Sequence, residues 1–555
     1  MLKSYLKSDN VVKYLYLNYT EEMFTFINLY FSINGLDIMN EIVEFGRRLK
    51  RSLDGSITYR KATAILILVL VFFFYLGPGL LRWLAGRGER RGESGLQVCV
   101  QDRLSQLQTV LEAGNGHTDL EQLSYVGNGY IGLSVSPESQ INIKSKRTLS
   151  IPVPFKPLVS VRVVGEEGSS DGVQVTDYLA GTVTEFRCLA SRREEDFVTV
   201  TSTVYAHRTV SGVLVQDIKI YNPNSHSVQL STSSLGISGW EDAASSSRTL
   251  EEGGAGAGVK YNIVTGTLRI GNDRKVVAVV SRNLPASVEV DSRMTYSLHL
   301  MTAVAYTDVD TREQKARENM EKEALNSLNK ATSLTWQRLA ETHSEVWAQL
   351  WTSGFGISHS FADNAVNGGR VNATIYYVLS HSPSLLESNS KLQGFLSYTE
   401  GCYSGIRTLQ ARNLWTSLAT LTDVDTVVSY WLLNLEKNGC HNLVKAGADG
   451  VMQAIILSLP GLKFSNHHLE LNVHPKELHR DLTLRRVNYG NETHINISIH
   501  VMSDNKAAIF VSLDKRNKDY YACDAGCLDP PVKLGPDVSQ FPVMIIQPDQ
   551  MILTV

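Results

Sequence analysis

The longest apolar stretch runs from Ala62 to Leu81, twenty residues without a charged side chain. An amphipathic soluble helix would carry a polar stripe at every turn, and this stretch has none. Its length matches the ~20 residues that cross a bilayer, so it predicts a transmembrane or signal-anchor helix at 62–84. Basic residues are more numerous before it (Arg47, Arg48, Lys50, Arg51, Arg60, Lys61) than after it (Arg82, Arg87, Arg90, Arg91).

This charge bias predicts a cytosolic N-terminal segment, 1–61, with the bulk of the chain lumenal or extracellular. Disorder of this segment and cleavage of the apolar segment both remain open.

Residues 98–310 alternate between apolar and polar positions in many short runs, for example Val213–Tyr221, which predicts a β-sandwich domain. Helical spacing then predicts a helical connector at 311–440, with one or two long helices followed by another over 371–380. Alternation returns at 441–555, predicting a C-terminal β domain.

Composition narrows the classes of partner and compartment. The chain has 555 residues and a formal charge of −3, so no basic field is available to hold a nucleic acid. The lumenal prediction agrees with three Asn-x-Ser/Thr sequons, at Asn372, Asn491 and Asn496, which we expect to be glycosylated. It also makes all six cysteines candidates for disulfides, with fifteen possible pairings left open. These cysteines are Cys99, Cys188, Cys402, Cys440, Cys523 and Cys527.

Two motifs suggest chemistry that their surroundings do not support. Gly127-Asn-Gly129-Tyr-Ile-Gly132 fits a dinucleotide-binding pattern, but a strand rather than a helix follows it, so a tight turn is the better interpretation. Seven of the fourteen histidines lie between His441 and His500, but the run from His468 to His474 alternates with apolar residues as any half-exposed strand does. The sequence therefore predicts no nucleotide, no metal site and no cofactor.

Several segments together resemble glycoside hydrolase family 65, which contains maltose, kojibiose and trehalose phosphorylases and acid trehalases. They are Val126-Gly-Asn-Gly-Tyr-Ile-Gly132, Asp177-Tyr-x-x-Gly181 with Arg187, Thr342-His-Ser-Glu-Val-Trp347 with Trp351, Gly450-Val-Met-Gln-Ala454 and Pro460-Gly-Leu462. The resemblance implies a large galactose-mutarotase-like β-sandwich, a helical barrel and a C-terminal β-sandwich. A full barrel of twelve helices needs on the order of 300 residues. Only a short (α/α) barrel remnant fits here.

The family's sugar-binding segment would fall near 403–412, where its acidic positions read Gln410 and Arg412. Because glycosyl transfer needs an acid and a base, this departure favours a protein without catalysis. A residual glycosidase using Glu387, Glu400 or Asp423 is the rival interpretation. The candidate ligand-binding residues are those whose side chains suit sugar faces and carboxylates, with core packing as the competing role of the tryptophans. They are Trp347, Trp351, Arg407, Arg412 and Trp415.

The chain also resembles a family of animal single-pass membrane glycoproteins known as a domain of unknown function. The matching segments are Val371-Asn-Ala-Thr-Ile-Tyr-Tyr377, Asn413-Leu-Trp415 and Tyr521-Ala-Cys-Asp-Ala-Gly-Cys-Leu-Asp529. That resemblance implies a second apolar segment near the C-terminus, which this sequence does not contain up to Val555.

These observations predict a membrane-anchored lumenal glycoprotein of the secretory pathway that binds a glycan or a glycoprotein client without catalysis. A structural subunit of a lumenal membrane complex remains the third alternative, alongside the residual glycosidase. Membrane and glycan are thus the expected partners, and nucleic acid and nucleotide are not. The endoplasmic reticulum, the Golgi and the cell surface all remain open as compartments.

Overall fold

The computed structural model describes residues 93–164, 170–190, 197–233, 236–251, 258–271, 273–309, 312–384, 400–471, 473–489, 493–524, 527, 529–543 and 553–554. The predicted membrane helix at 62–84 and the cytosolic segment at 1–61 lie outside these residues. Among the helices that the structure does describe, none has the length and apolar character needed to span a bilayer.

A nine-stranded antiparallel sheet forms the centre of the N-terminal part. In order across the sheet, its strands are Gly116–Thr118, Ser170–Asp177, Thr182–Ala190, Phe197–Ala206, Val213–Tyr221, Thr295–Asp308, Asp273–Arg282, Gly258–Ile270 and Ala244–Glu251. The mainly β character predicted for this part of the chain is confirmed.

Both faces of this large sheet are covered. A four-stranded sheet packs against one face, with strands Tyr125–Gly127, Ile131–Ser134, Asn142–Ser145 and Thr148–Pro152. The helix Glu313–Thr332 packs against the other face. Val277 and Val279 point to the small sheet, whereas Val276, Ala278 and Val280 point to the helix. Burial on both faces is why this strand is almost continuously apolar.

Two smaller sheets complete the N-terminal part. Strands Ser287–Val290, Val228–Thr232 and Val161–Val163 form a three-stranded sheet that packs against one end of the large sheet. Phe155–Lys156 pairs with Gly236–Ile237.

The glycine motif lies in the hairpin between Tyr125–Gly127 and Ile131–Ser134, which confirms its interpretation as a turn. Gly129 has φ +80°, and a Cβ there would lie 2.1 Å from the nitrogen of Pro383, so only glycine fits.

The helical part shares one core with the C-terminal sheets. Its helices are Trp336–Leu350, Gly368–Ser380, Leu421–Leu435, His441–Lys445 and Ala448–Ser458. The C-terminal sheets contain Gly354–Ile357, Leu482–Asn488, His494–Val501, Ala507–Lys515 and Ser539–Pro542; Leu462–Ser465, His468–Leu471 and Leu553–Thr554; and Tyr521–Ala522 with Val532–Lys533. One buried apolar cluster includes residues from Trp347 to Phe541, together with Tyr125 and Tyr178 of the N-terminal part.

Helices replace predicted β structure at two places. Glu93–Ser105 and Gln108–Glu112 are helical, at the start of the segment expected to be β. His441–Lys445 and Ala448–Ser458 are also helical, beyond the expected boundary at 440. The second of these helices is buried on almost every side, from Val451 to Ser458. A helix without a polar face shows no 3.6-residue pattern, so its sequence does not distinguish it from a buried strand.

All six cysteines are paired, which resolves the connectivity that the sequence left open. Cys99 of the first helix joins Cys188 of the large sheet, Cys402 joins Cys440, and Cys523 joins Cys527. Disulfides persist in oxidising compartments and are rare in the cytosol. This pairing indicates a secreted or lumenal environment for the described region.

Candidate functional site

A pocket of about 230 Å³ lies where the helical part meets the C-terminal sheet. We call it the junction pocket. Its walls come from three segments: the loop before the helix Gly368–Ser380, the turn around Thr408–Gln410, and the chain leading into the strand Leu482–Asn488. Its lining residues are Ile357, Ser360, Ala362, Ala365, Val366, Arg407, Leu409, Gln410, Glu477, His479, Arg480 and Leu482. Pockets of this kind form preferentially where structural units meet.

The loop at 358–367 is held in place by hydrogen bonds, although it is irregular. Asn367 donates through Nδ2 to the carbonyl of Ser360, and its Oδ1 accepts from the amide of Ser360, both at 2.9 Å. Arg480 donates to the carbonyl of Val366 at 2.8 Å, to Asn367 Oδ1 at 2.7 Å and to the carbonyl of Ser358. The guanidinium of Arg480 therefore fixes this wall of the pocket to the C-terminal sheet.

This fixed loop presents Phe361 to solvent. The side chain of Phe361 is 95% exposed, and its ring contacts the ring of His359 edge-on at 4.7 Å between centroids. On the neighbouring wall, Ile406 is 77% exposed and precedes the lining residue Arg407. Each of these exposed apolar side chains directly adjoins, along the chain, residues that line the pocket, so we consider them for ligand contact.

The polar wall consists of Arg407, Gln410 and Glu477, and the charges of Arg407 and Glu477 neutralise each other. Arg407 Nε lies 3.3 Å from Glu477 Oε2, and both terminal nitrogens of Arg407 donate to the Glu477 carbonyl at 3.4 Å. Gln410 donates to Glu477 Oε2 at 3.3 Å. Burial lowers the pKa of Arg407, while the Glu477 carboxylate raises it, so the guanidinium stays charged at neutral pH. The guanidinium of Arg480 is the remaining cation of the lining, and its N–H groups donate to the loop at 358–367. The pocket therefore suits a neutral ligand with many hydroxyl groups better than an ion.

Trp347, the first predicted ligand-binding residue, is fully buried instead of lining a pocket. The guanidinium carbon of Arg208 lies 4.8 Å from its ring centroid, and the ring of Tyr376 stacks on it at 5.1 Å. Gly181 lies against the indole, where a Cβ would approach Nε1 to 2.0 Å. Trp347 thus packs the boundary between the large sheet and the helices, which the sequence left open as the competing role.

The other predicted residues divide between packing and the pocket. Trp351 donates to the carbonyl of Tyr178 at 2.7 Å, and Trp415 donates to the carbonyl of Thr408 at 2.7 Å. Trp415 is buried against Trp431, with ring centroids 5.3 Å apart. Arg412 is exposed but does not line the junction pocket. Arg407 alone of the five candidates lines this pocket.

Glu400 and Asp423, two of the three carboxylates considered for a residual glycosidase, have local structural roles. Glu400 accepts hydrogen bonds from the amides of Asn466 at 2.8 Å and His467 at 3.4 Å. Asp423 caps the helix Leu421–Leu435 by accepting from the amide of Thr420 at 3.2 Å. Glu387 lies outside the described residues. Neither Glu400 nor Asp423 lines the junction pocket.

The three predicted glycosylation sites occupy different positions. Asn372 lies within the helix Gly368–Ser380 and donates through Nδ2 to the carbonyl of Gly114 at 3.1 Å. This bond uses one of the two N–H groups of the side-chain amide, and glycosylation of Asn372 stays a prediction. Asn496 lies on a strand, where its Oδ1 accepts from the amide of Arg486 at 2.9 Å. Asn491 lies outside the described residues.

Sequence reasoning missed Phe361, Glu477 and Arg480. Glu477 and Arg480 are more than 100 residues from the loop at 358–367 in sequence, so only the fold places them beside that loop. Phe361 left a signal, because it is a single large apolar residue in the polar run Ser358-His-Ser-Phe-Ala-Asp-Asn364. An aromatic residue that no periodic pattern requires is a reasonable candidate for a surface contact.

The family model "Uncharacterized conserved protein (DUF2152)" matches residues 47–555. The chain belongs to this family. Among similar DUF2152-type relatives, the "Uncharacterized protein KIAA2013 homolog" of Xenopus tropicalis and that of Xenopus laevis are each 29% identical over 512 residues. Each match covers 87% of this chain and 82% of the relative.

A solved structure, "Putative kojibiose phosphorylase from human microbiome", is weakly similar to this DUF2152 protein. Its TM-score is 0.35 at 9% identity, and the match covers 60% of this chain and 50% of that chain. A likeness this weak assigns neither a fold nor an activity to the chain. Any function of this DUF2152 protein therefore has to be argued from its own residues.

Proposed function

We propose that this protein is a membrane-anchored glycoprotein of the secretory pathway that binds a neutral glycan, free or on a client glycoprotein, at the junction pocket and does not catalyse its turnover. In this proposal, the helix at 62–84 anchors the chain, and the described region faces the lumen or the cell exterior. The scaffold combines a galactose-mutarotase-like β-sandwich, a barrel remnant and a C-terminal β-sandwich. The observation that carries the proposal is the exposed ring of Phe361, whose chain neighbours Ser360 and Ala362 line the same pocket as the paired Arg407 and Glu477.

Phe361 supplies the apolar half of such a site. An exposed phenylalanine lacks the roughly 1.5–3 kcal/mol that burial of its side chain would contribute. The loop that carries Phe361 is held by hydrogen bonds of Arg480 and Asn367. One face of a pyranose ring presents C–H groups that pack on an aromatic face. A fixed loop reduces the entropy lost on binding such a ligand.

The polar wall supplies the other half. Arg407, Gln410 and Glu477 offer planar donors and acceptors that match pairs of neighbouring sugar hydroxyls. Because their charges are paired before any ligand enters, binding a neutral sugar leaves no uncompensated charge behind. Gln410 also lies where the family's sugar-binding segment would fall, although the acidic side chains needed for catalysis are replaced there.

A glycan array with the full chain in detergent tests the proposal. We expect the wild type to bind a subset of neutral glycans, and we expect Phe361→Ala to weaken that binding about tenfold, since an aromatic contact contributes roughly 0.5–1.5 kcal/mol beyond its buried area. Leu120→Ala is the control, because Leu120 is 89% exposed and does not line the pocket. Absence of neutral-glycan binding by the wild type, or equal losses in both variants, would refute the proposal.

The lumenal orientation leads to a separate prediction on glycosylation. In microsomes, we expect Asn491→Gln to remove one endoglycosidase-sensitive mobility shift, because Asn491 lies in a sequon beyond the proposed anchor. Asn372→Gln should remove a second shift, because Asn372 also lies in a sequon beyond the proposed anchor. A protein without any shift, whose C-terminal part is open to added protease, would place these residues on the cytosolic side.

A further inference from the structure

A larger cavity, of about 490 Å³, opens on the N-terminal β region and is not used by the proposed function. We call it the serine groove. Its lining combines small hydroxyl side chains with three charged ones and has few apolar residues. The lining residues are Pro137, Glu138, Lys156, Leu158, Ser160, Arg162, Ser231, Thr232, Ser233, Gly236, Ile237 and Ser238.

Two antiparallel stretches of chain, 155–161 and 232–237, form the serine groove. They are paired at both ends and separate between these ends. Phe155 is opposite Ile237 at one end, and Val161 is opposite Thr232 at the other. Near the second section, the amide of Ser233 donates to the Ser160 carbonyl at 2.9 Å, and the amide of Ser160 donates to Ser233 Oγ at 2.8 Å. The opening is therefore bounded by hydrogen-bonded backbone.

The floor of the groove is fixed from below. The buried side chain of Gln216 accepts from the amide of Val159 and donates to its carbonyl, both at 2.9 Å. Leu158 and Val159 are each 5% exposed and anchor this stretch in the apolar core. A groove held in this way exists before a ligand arrives, and its volume lies within the roughly 300–1,000 Å³ common for small-molecule sites.

The charges of the groove favour an anionic ligand. Lys156 forms an ion pair with Glu138, which leaves Arg162 as the excess cation of the lining. Arg162 is exposed and has no ion-pair partner within the described part of the chain. A guanidinium offers a planar pair of donors to a carboxylate, sulfate or phosphate. The hydroxyl groups of Ser160 and Ser238 lie in the same lining, where they suit the hydroxyls of a sugar.

We propose that the serine groove binds an acidic saccharide, with Arg162 pairing with the anionic group and the serine hydroxyls contacting the sugar. This site is separate from the junction pocket, shares no lining residue with it, and does not depend on the function proposed there. The lining contains no aromatic side chain, so recognition rests on charge and hydrogen bonds.

The test compares a fluorescent sulfated disaccharide, its desulfated counterpart and a uronic-acid disaccharide, each titrated against the full chain in detergent at low and high salt. We expect both acidic sugars to bind at least about tenfold more tightly than the desulfated sugar. Arg162→Gln should remove that preference, and added salt should reduce it, because the contact is partly exposed. Arg269→Gln is the matched control, because Arg269 is exposed on the large sheet outside the groove.

The result that overturns the inference is an equal loss in the two arginine variants, or no preference for the acidic sugars in the wild type. Displacement by inorganic sulfate alone, at the affinity of the sulfated disaccharide, would also overturn it, since the sugar would then contribute nothing. Thermal melting of each variant checks that it is folded. Phe361→Ala should bind the acidic sugars normally, so failure of the junction pocket is distinguishable from failure of this site.

Discussion

Replacement of Trp347 with alanine should lower the free energy of unfolding by about 3–5 kcal/mol, the usual loss for a large aromatic side chain in a core. Trp347 is fully buried, and the side chains of Arg208 and Tyr376 pack on its ring. Removing it leaves a cavity at the boundary between the large sheet and the helices. It also removes the aromatic ring that stabilises the buried Arg208 guanidinium. Burial lowers the pKa of Arg208 to about 10, so the charged form depends on such contacts.

Phe361→Ala is the matched control for this loss. The same class of side chain is removed, but Phe361 is 95% exposed, so we expect the free energy of unfolding to change by about 0.5 kcal/mol or less. Urea unfolding followed by far-ultraviolet circular dichroism measures both variants without relying on the missing indole. Equal stability of Trp347→Ala and the wild type would mean that Trp347 does not pack this boundary.

Removal of the Cys99–Cys188 disulfide should also lower stability by about 4–5 kcal/mol in the chain-entropy account. The two cysteines are 89 residues apart in sequence, so their bond restricts a long loop of the unfolded chain. Cys188 is fully buried in the large sheet, and the bond fixes the helix Glu93–Ser105 to that sheet. The double variant Cys99→Ala with Cys188→Ala measures this loss by the same urea unfolding.

The short Cys523–Cys527 pair provides an internal comparison. Its cysteines are only 4 residues apart, so the same account gives a loss of about 2 kcal/mol. The double variant Cys523→Ala with Cys527→Ala should therefore be clearly more stable than the variant lacking Cys99 and Cys188. Equal losses for the two pairs, or peptide mapping that finds Cys99 joined to another cysteine, would contradict the connectivity described above.

The sequence predicted structure well where one local pattern determines it. The alternation in Val213–Tyr221 corresponds to a strand of the large sheet. Helical spacing after 311 corresponds to Glu313–Thr332 and Trp336–Leu350. In these elements, the face that is buried follows directly from the position of each residue along the strand or helix.

The hydrophobic pattern of the sequence did not determine the structure where a segment is buried on all sides or where the contacting residues are far apart in the chain. Ala448–Ser458 is apolar on all sides and shows no period that separates helix from strand. Tryptophans suit both cores and sugar sites, and only the fold showed Trp347 and Trp415 inside. The junction pocket itself depends on Arg480 bonding to Val366, a contact between residues 114 positions apart, which no local pattern records.

The central claim is that the junction pocket is where a saccharide binds. Hydroxyl-radical footprinting with mass spectrometry tests it most directly, on the full chain with and without the strongest neutral glycan from the array. Binding there should protect Phe361 and His359 from oxidation, while Met294, which is 57% exposed and outside the pocket, should react equally in both samples. Unchanged oxidation of Phe361 with the glycan bound would contradict the claim.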